Sequence, residues 1–268
     1  MPSWHAGEVT SPTVWSTGRY EAVAERIAPI ADEVIDAVER RVPVRDATLI
    51  DLACGTGSAA LAAAARGARL TAVDITPELV AIGARKAEAA GRSIAWVTAD
   101  ASDTGLPEGS FDAAISNMGT IFVEPASMVA ELSRLVRSGG VLGFSSWKRG
   151  GANPFFDPIV EVLGPPPASG HSPDQWGQSE VITERLTADF DDIDIETGAH
   201  TWGFASVTAG VHFVTNESPM HVSMLGGLDA ARRDRLLAAF EAAWQACRTA
   251  DGGVSFDAPY VVVTARRR

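Results

Sequence analysis

One segment constrains this chain more than any other. An apolar, β-prone run enters two closely spaced glycines and then an alanine-rich helical stretch: Leu49-Ile50-Asp51-Leu52-Ala53-Cys54-Gly55-Thr56-Gly57-Ser58. Gly55 and Gly57 permit a tight turn that leaves the backbone bare, so a ligand can lie against main-chain N–H groups at a helix N-terminus. The same strand-then-helix order recurs along the chain. Thr48–Leu52 precedes a helical pattern at Ser58–Ala65, Leu70–Val73 precedes one at Pro77–Ala90, and Phe111–Ser116 precedes one at Ala126–Val136. Ser93–Thr98 runs into a loop, and Val141–Trp147 follows Gly139 and Gly140, placed where a helix C-cap takes positive φ. Strands alternating with helices predict an α/β fold, a doubly wound and mostly parallel sheet with helices on both faces.

The flanking segments extend this pattern. Between Tyr20 and Arg41 apolar residues recur at helical spacing around Pro29, which predicts two short helices broken at the proline. Thr76, Pro77 and Glu78 read as a capping hydroxyl, a proline at the first helical position and an acid favoured by the helix dipole. Lys148 to Gln178 carries six prolines and reads as a long loop with one short helix at Phe155–Leu163. Ser179–Phe190 is predicted helical, Ile193–Phe204 a strand, Val207–Asn216 and Asp229–Arg248 helices, and Tyr260–Thr264 a final strand. This organisation places a ligand-binding core with N-terminal helices in residues 1–150. Residues 151–268 then hold the proline-rich loop, the last strands and a helical cap, as one structural domain with an insertion.

Three acids share one location. Asp51 precedes the glycine turn, Asp74 closes the second strand about 20 residues later, and Asp100 follows the third strand. Strand C-terminal ends are where open α/β sheets bind ligands, and an acid at the position of Asp74 can accept from both hydroxyls of a ribose. The alternative for Asp100 is a turn-forming aspartate before Ala101-Ser102-Asp103. Together with Val73-Asp74, Ala99-Asp100-Ala101, Leu106-Pro107, Ser110-Phe111-Asp112 and the LVRSGG stretch from Leu135 to Gly140, the turn resembles the pattern of class I S-adenosylmethionine-dependent methyltransferases, most densely over Val14–Trp147. Within them the chain is similar to small-molecule enzymes of ubiquinone and menaquinone biosynthesis and natural-product tailoring.

That resemblance implies a Rossmann-like core with an antiparallel last strand, S-adenosylmethionine as cofactor, and a set of site roles. Asp51 would hold the methionine amino end through the turn. Ala53, Gly55, Thr56 and Gly57 would line the approach to the backbone. Asp74 would bind the ribose, Ile75 would pack on the adenine, Asp100 and Ala101 would recognise its edge, and Asn117 would help hold the methionine portion. Trp15, Arg19 and Tyr20 stand where relatives carry a segment that covers the cofactor. A nicotinamide dehydrogenase shares the glycine turn and the ribose acid, and Ala60 fits its third small position. Asp51 and Asp100 have no needed role in that motif, however, and no Ser, Tyr and Lys group stands at helical spacing for hydride transfer.

Methyl transfer requires the nucleophile and the methyl to be held about 3 Å apart with water excluded, so a strong catalyst is optional. A hydroxyl acceptor benefits from a base, and His171 in the proline-rich loop and His221 in the cap are the candidates, while His5 and His200 read as terminal and structural. No residue is assigned to a metal. Trp176, Trp202, Phe204, Phe213, Met220, Met224, Leu225, Phe155 and Phe156 supply a core and part of an apolar acceptor pocket. The predicted reaction is O- or C-methylation of a small, partly hydrophobic metabolite. A methyltransferase fold recruited to a non-methylating reaction such as cyclisation, and a cofactor-sensing binding protein, are the alternatives.

Charge and composition bound the partners. A net charge of -12, from 22 Lys+Arg against 34 Asp+Glu, repels phosphate backbones, and Arg266-Arg267-Arg268 is the one dense basic run. Cys54 and Cys247 form no paired framework. The first residues lack a secretory pattern, and no window reaches the roughly 18 apolar residues of a membrane span. These features predict a cytoplasmic monomer or homodimer that binds a small-molecule acceptor, without nucleic acid or membrane.

Overall fold

The computed structural model describes residues 14–165 and 171–268; His5, Pro166 and Pro167 lie outside them. The first helix, α1 (Glu21–Glu39), is continuous and carries Pro29 inside it, where the sequence predicts a break. An internal proline costs about 3 kcal/mol. The stripe of Ile27, Ile30, Val34, Ile35 and Val38 is buried, and at about 1.5–3 kcal/mol per aliphatic side chain its packing outweighs that cost.

There follow β1 (Thr48–Leu52), α2 (Ser58–Ala65), β2 (Arg69–Asp74), α3 (Pro77–Ala89), β3 (Ile94–Thr98), β4 (Phe111–Asn117), α4 (Pro125–Leu135) and β5 (Val136–Trp147). α5 (Asp157–Leu163), α6 (Ser179–Leu186), β6 (Phe190–Phe204), α7 (Val207–His212), α8 (Pro219–Gly226), α9 (Ala230–Gln245) and β7 (Val254–Arg267) complete the chain. The strands form one seven-stranded sheet in the order β3-β2-β1-β4-β5-β7-β6. β1 pairs in parallel with both β2 and β4, and β5 pairs antiparallel with β7. The chain reverses direction across the sheet at β1 and β4, so the crevice outside their C-terminal ends is the switch point at which such sheets bind ligands. The expected α/β, Rossmann-like and mostly parallel sheet with an antiparallel last strand is present.

Three local readings change. Gly139 and Gly140 lie inside β5 and not at a helix C-cap; α4 ends directly into extended Val136, and the glycines absorb a register shift against β4 between Phe111 and Ala113. Gly139 takes φ 73, which a bulge needs as much as a cap does. Thr76 stands at the N-cap of α3, but its hydroxyl makes no bond to a first-turn N–H; its own N–H donates to the Asp74 carboxylate. The chain between Asn216 and Asp229, read as a connection, holds the short helix α8, whose eight residues carry no amphipathic stripe that periodicity could show.

The chain divides into two compact units. One, built from residues 24–149, 171–199 and 259–268, carries most of the sheet, with a core of Ile50, Leu52, Val73, Ala114, Met128, Leu132, Leu142, Phe144, Trp176 and Val263. The other comprises residues 14–23, 150–165 and 200–258. Its interior is an aromatic cluster in which Phe155 meets Trp202 at 4.9 Å, Phe256 at 5.3 Å, Phe213 at 5.7 Å and Trp244 at 5.9 Å between ring centroids.

Candidate active site

The C-terminal edge of the sheet is shaped by the turn after β1. Cys54 donates its N–H to the Val73 carbonyl (3.0 Å), which stitches the turn to β2, and Gly57 donates to the Cys54 carbonyl (2.8 Å). Gly55 and Gly57 take φ 55 and 81, a region open to glycine without steric penalty. Ala53 holds φ 52 as a non-glycine, and Gly119 after β4 approaches so closely that a side chain there would overlap the Ala53 carbonyl. Thr56 is buried within the turn.

Asp74 organises this edge. Its Oδ2 accepts from the Gly55 N–H (2.7 Å) and its Oδ1 from the Thr76 N–H (2.9 Å), so one carboxylate ties the glycine turn to the start of α3. Each oxygen keeps a further lone pair for a ligand hydroxyl. Asp51 is 1% exposed; its Oδ2 accepts from the Ala60 N–H (2.9 Å), while its Oδ1 is buried without a partner. Burial pushes the Asp51 carboxyl up to about 8, and the negative charge of Asp74 adds to the effect. Burial raises the neighbouring Cys54 thiol further still, again with help from both aspartates. A buried acceptor left unsatisfied costs about 1–3 kcal/mol, so a ligand that brings a donor to Asp51 Oδ1 recovers that cost. Thr120 Oγ1, in the turn after β4, is a second buried oxygen without a partner.

Ile75 is 60% exposed, and among the described residues only Val14 and Phe122 are the other large hydrophobics classed with it. An exposed aliphatic side chain directly after Asp74 offers a surface for a flat ring. Asp100 uses Oδ1 to accept from the N–H and hydroxyl of Ser102 (2.8 and 2.7 Å), the turn geometry weighed for it, and Ala101 beside it is buried. The loop that follows is anchored from behind: Glu131 accepts from the Thr104 N–H (2.9 Å) and hydroxyl (2.6 Å), and Arg134 joins Glu131 to the Leu106 carbonyl (2.6 Å). The Asn117 amide faces inward, donating to the Ile27 carbonyl (3.2 Å) and accepting from Ser145 Oγ (2.7 Å), so its side chain is committed to the fold.

The family described as Methyltransferase domain matches residues 50–144, the span that builds this edge. Over 202 residues the chain is 30% identical to an uncharacterized protein of Mycobacterium tuberculosis, covering 73% of this chain and 72% of that one. It is 28% identical over 188 residues to aklanonic acid methyltransferase DauC of Streptomyces, covering 68% and 84% of the two chains. The chain belongs to the class I S-adenosylmethionine-dependent methyltransferases. Its fold agrees with that of geranyl diphosphate C-methyltransferase from Streptomyces coelicolor, solved with Mg2+, geranyl diphosphate and S-adenosyl-L-homocysteine, at TM-score 0.53 and 17% identity over 90% of this chain and 79% of that one.

The cofactor of this methyltransferase is S-adenosylmethionine, and the edge fits it on its own chemistry. An orphaned buried carboxylate oxygen on Asp51, a ribose-competent Asp74, bare turn amides and an exposed Ile75 match an amine, a diol, a polar chain and an aromatic base. Asp51, Ala53, Gly55, Thr56, Gly57, Asp74, Ile75, Asp100, Ala101 and Asn117 all fall on the C-terminal ends of adjacent parallel strands.

Trp15, Arg19 and Tyr20 of the methyltransferase belong to the other unit. There Arg19 grips Glu217 twice, through its N–H to the Glu217 carbonyl (2.8 Å) and its guanidinium to the carboxylate (2.7 Å). Gly18, at φ 65, permits that approach, since a Cβ would stand 2.6 Å from the Glu217 carbonyl oxygen. Trp15 and Tyr20 meet edge to face at 6.4 Å. His171 is exposed in the sheet-bearing unit, ahead of the 3-10 turn Pro173–Gly177.

His221 lies on α8 inside the aromatic cluster, 3% exposed, with Nδ1 2.7 Å from Ser218 Oγ and Nε2 3.4 Å from the Phe155 carbonyl. This is the arrangement of a satisfied structural histidine, and burial takes its pKa down to about 4. Between pH 4 and about 6.5 the unfolded chain therefore holds a proton at this position that the folded chain does not, so stability falls as pH drops through that window. A His221→Leu variant is expected to lose less thermal stability than the parent between pH 7 and pH 5, measured by calorimetric melting.

Trp96 of β3 escaped the sequence reading. The signal that could have found it is Gly83 in the middle of α3, where a glycine weakens the helix unless packing requires it.

Proposed function

We propose that this methyltransferase moves the methyl group of S-adenosylmethionine to an oxygen or carbon of a small, partly hydrophobic metabolite. The carrying observation is the edge built by Asp51, the Gly55–Gly57 turn and Asp74, which keeps a buried carboxylate oxygen unpaired for a ligand donor. Similarity to a relative named for aklanonic acid, across 84% of that relative's length, supports a small-molecule acceptor.

When bound, the cofactor supplies an electrophilic methyl on a sulfonium; the S–CH3 bond breaks, an O–CH3 or C–CH3 bond forms, and the acceptor proton leaves. The chain's own contribution is to hold and orient: Asp74 fixes the ribose, Asp51 the amino end, and the turn amides the intervening chain. Such positioning is the main source of rate in an in-line displacement. The residues that hold the cofactor are independent of a base, and none is required where the acceptor ionises readily.

The test is incubation of the full chain with methyl-labelled S-adenosylmethionine and a panel of phenols, aromatic carboxylic acids and quinols. Label in one product class is the expected result. Tight S-adenosylhomocysteine binding with no label in any acceptor would favour a non-methylating reaction on the same fold.

A further inference from the structure

One aromatic ring sits between two glycines of different elements. The Trp96 side chain, half-buried on β3, is packed against both Gly57, the last residue of the turn, and Gly83, in the middle of α3; a Cβ added to either would overlap the outer edge of the indole. Gly57 needs its glycine for φ 81 as well, but Gly83 has ordinary helical backbone. A glycine in a helix interior weakens the helix relative to alanine, and at Gly83 it leaves space for close approach of the ring. The same position faces the turn directly: its Cβ would stand 3.2 Å from the Thr56 carbonyl oxygen. Lys86, one helical turn further on, reaches Thr56 Oγ1 at 3.5 Å. Trp96 is anchored by the register of β3 on β2, opposite Ala72.

We infer that Trp96 is a positioning residue for cofactor binding, a spacer whose ring sets the distance between α3 and the Gly55–Gly57 turn and so fixes where the turn amides stand. This inference rests on the proposed cofactor role of the turn. The outer edge of the ring abuts bare backbone at both glycines, so it cannot shift toward either without moving the turn or the helix. Removal of the ring lets the turn relax toward α3 and moves the amides away from the cofactor without altering any group that contacts it.

The test measures S-adenosylhomocysteine affinity by calorimetry and steady-state kinetics on the full chain, at a temperature where melting shows every variant folded. Trp96→Ala is expected to raise Kd and the KM for S-adenosylmethionine at least about tenfold, with kcat at saturation and acceptor KM held. Gly83→Ala, which drives a Cβ against the ring, is expected to raise Kd as well. Trp96→Phe in the same chain, lacking the outer indole edge, is expected to restore it. That rescue is a result a merely structural tryptophan would not give. Parent-like affinity in a folded Trp96→Ala protein overturns the inference. If Trp96→Ala does not fold, an unchanged Kd in Gly83→Ala, or a raised Kd that Trp96→Phe fails to restore, overturns it equally. A parent chain that binds no S-adenosylhomocysteine overturns the proposed cofactor role itself, and is told apart from the other outcomes by that control.

Discussion

Asp51→Asn is expected to stabilise the folded chain at alkaline pH while weakening its hold on the cofactor. The carboxyl is fully buried, accepts one hydrogen bond from the Ala60 N–H and leaves Oδ1 unsatisfied, and burial with the adjacent Asp74 raises it to about 8. An unfolded aspartate titrates near 3.8. Between those values the folded chain binds one more proton than the unfolded chain, so stability falls as pH rises through the window and levels off above it. Asparagine cannot ionise and lacks that slope. At pH 8.5 the variant should melt at the higher temperature, by several degrees, since about 1 kcal/mol moves a chain of this size by about 2–4 °C. At pH 4 the two should nearly coincide.

Cofactor affinity should move the other way. A cationic amine at Asp51 favours the ionised carboxylate, so binding near neutral pH releases a proton and tightens as pH rises toward 8. The asparagine variant should lose that pH dependence and bind at least about tenfold more weakly, by the value of a charged hydrogen bond. Calorimetry in buffers of different ionisation enthalpy reads the released proton. A parent chain with no proton release, or a variant no more stable at pH 8.5 than at pH 4 relative to the parent, would sink this reading of Asp51.

Asp74→Ala carries the largest expected loss of binding, about a hundredfold or more in Kd for S-adenosylhomocysteine, which corresponds to about 2.7 kcal/mol. Two effects combine. The ribose loses its acceptor, and the Gly55 and Thr76 N–H groups lose theirs, so the turn and the start of α3 come apart. Asp74→Asn separates the two, because its one amide oxygen can satisfy only part of this set. It should retain an intermediate affinity and most of the melting temperature. An alanine variant that binds like the parent would remove Asp74 from the site.

The turn, its three acids and the strand-helix alternation were legible because each is a local pattern: glycines where φ is positive, acids directly after apolar runs. The features that escaped depend on partners distant in sequence. Pro29 reads as a break until the buried stripe of α1 is set against it. Gly139 reads as a cap until the register of β5 on β4 shows a bulge. Thr76 reads as the capping hydroxyl of α3, yet it bonds no first-turn N–H and instead gives its own N–H to Asp74, which already faces the turn through Gly55. His221 reads as a base candidate in the cap until α8 and the aromatic cluster enclose it. Trp96 carries no local signal of its own, and the two glycines against its ring, distant in sequence, are what show its place.

A crystal structure of the full chain grown with S-adenosylhomocysteine tests the cofactor site most directly. The expected result is the ribose hydroxyls within hydrogen-bond distance of Asp74, the adenine beside Ile75 and Asp100, and a donor from the amino-acid end satisfying Asp51 Oδ1. Density for the ligand elsewhere, or a bound ligand that leaves Asp51 and Asp74 untouched, would contradict it.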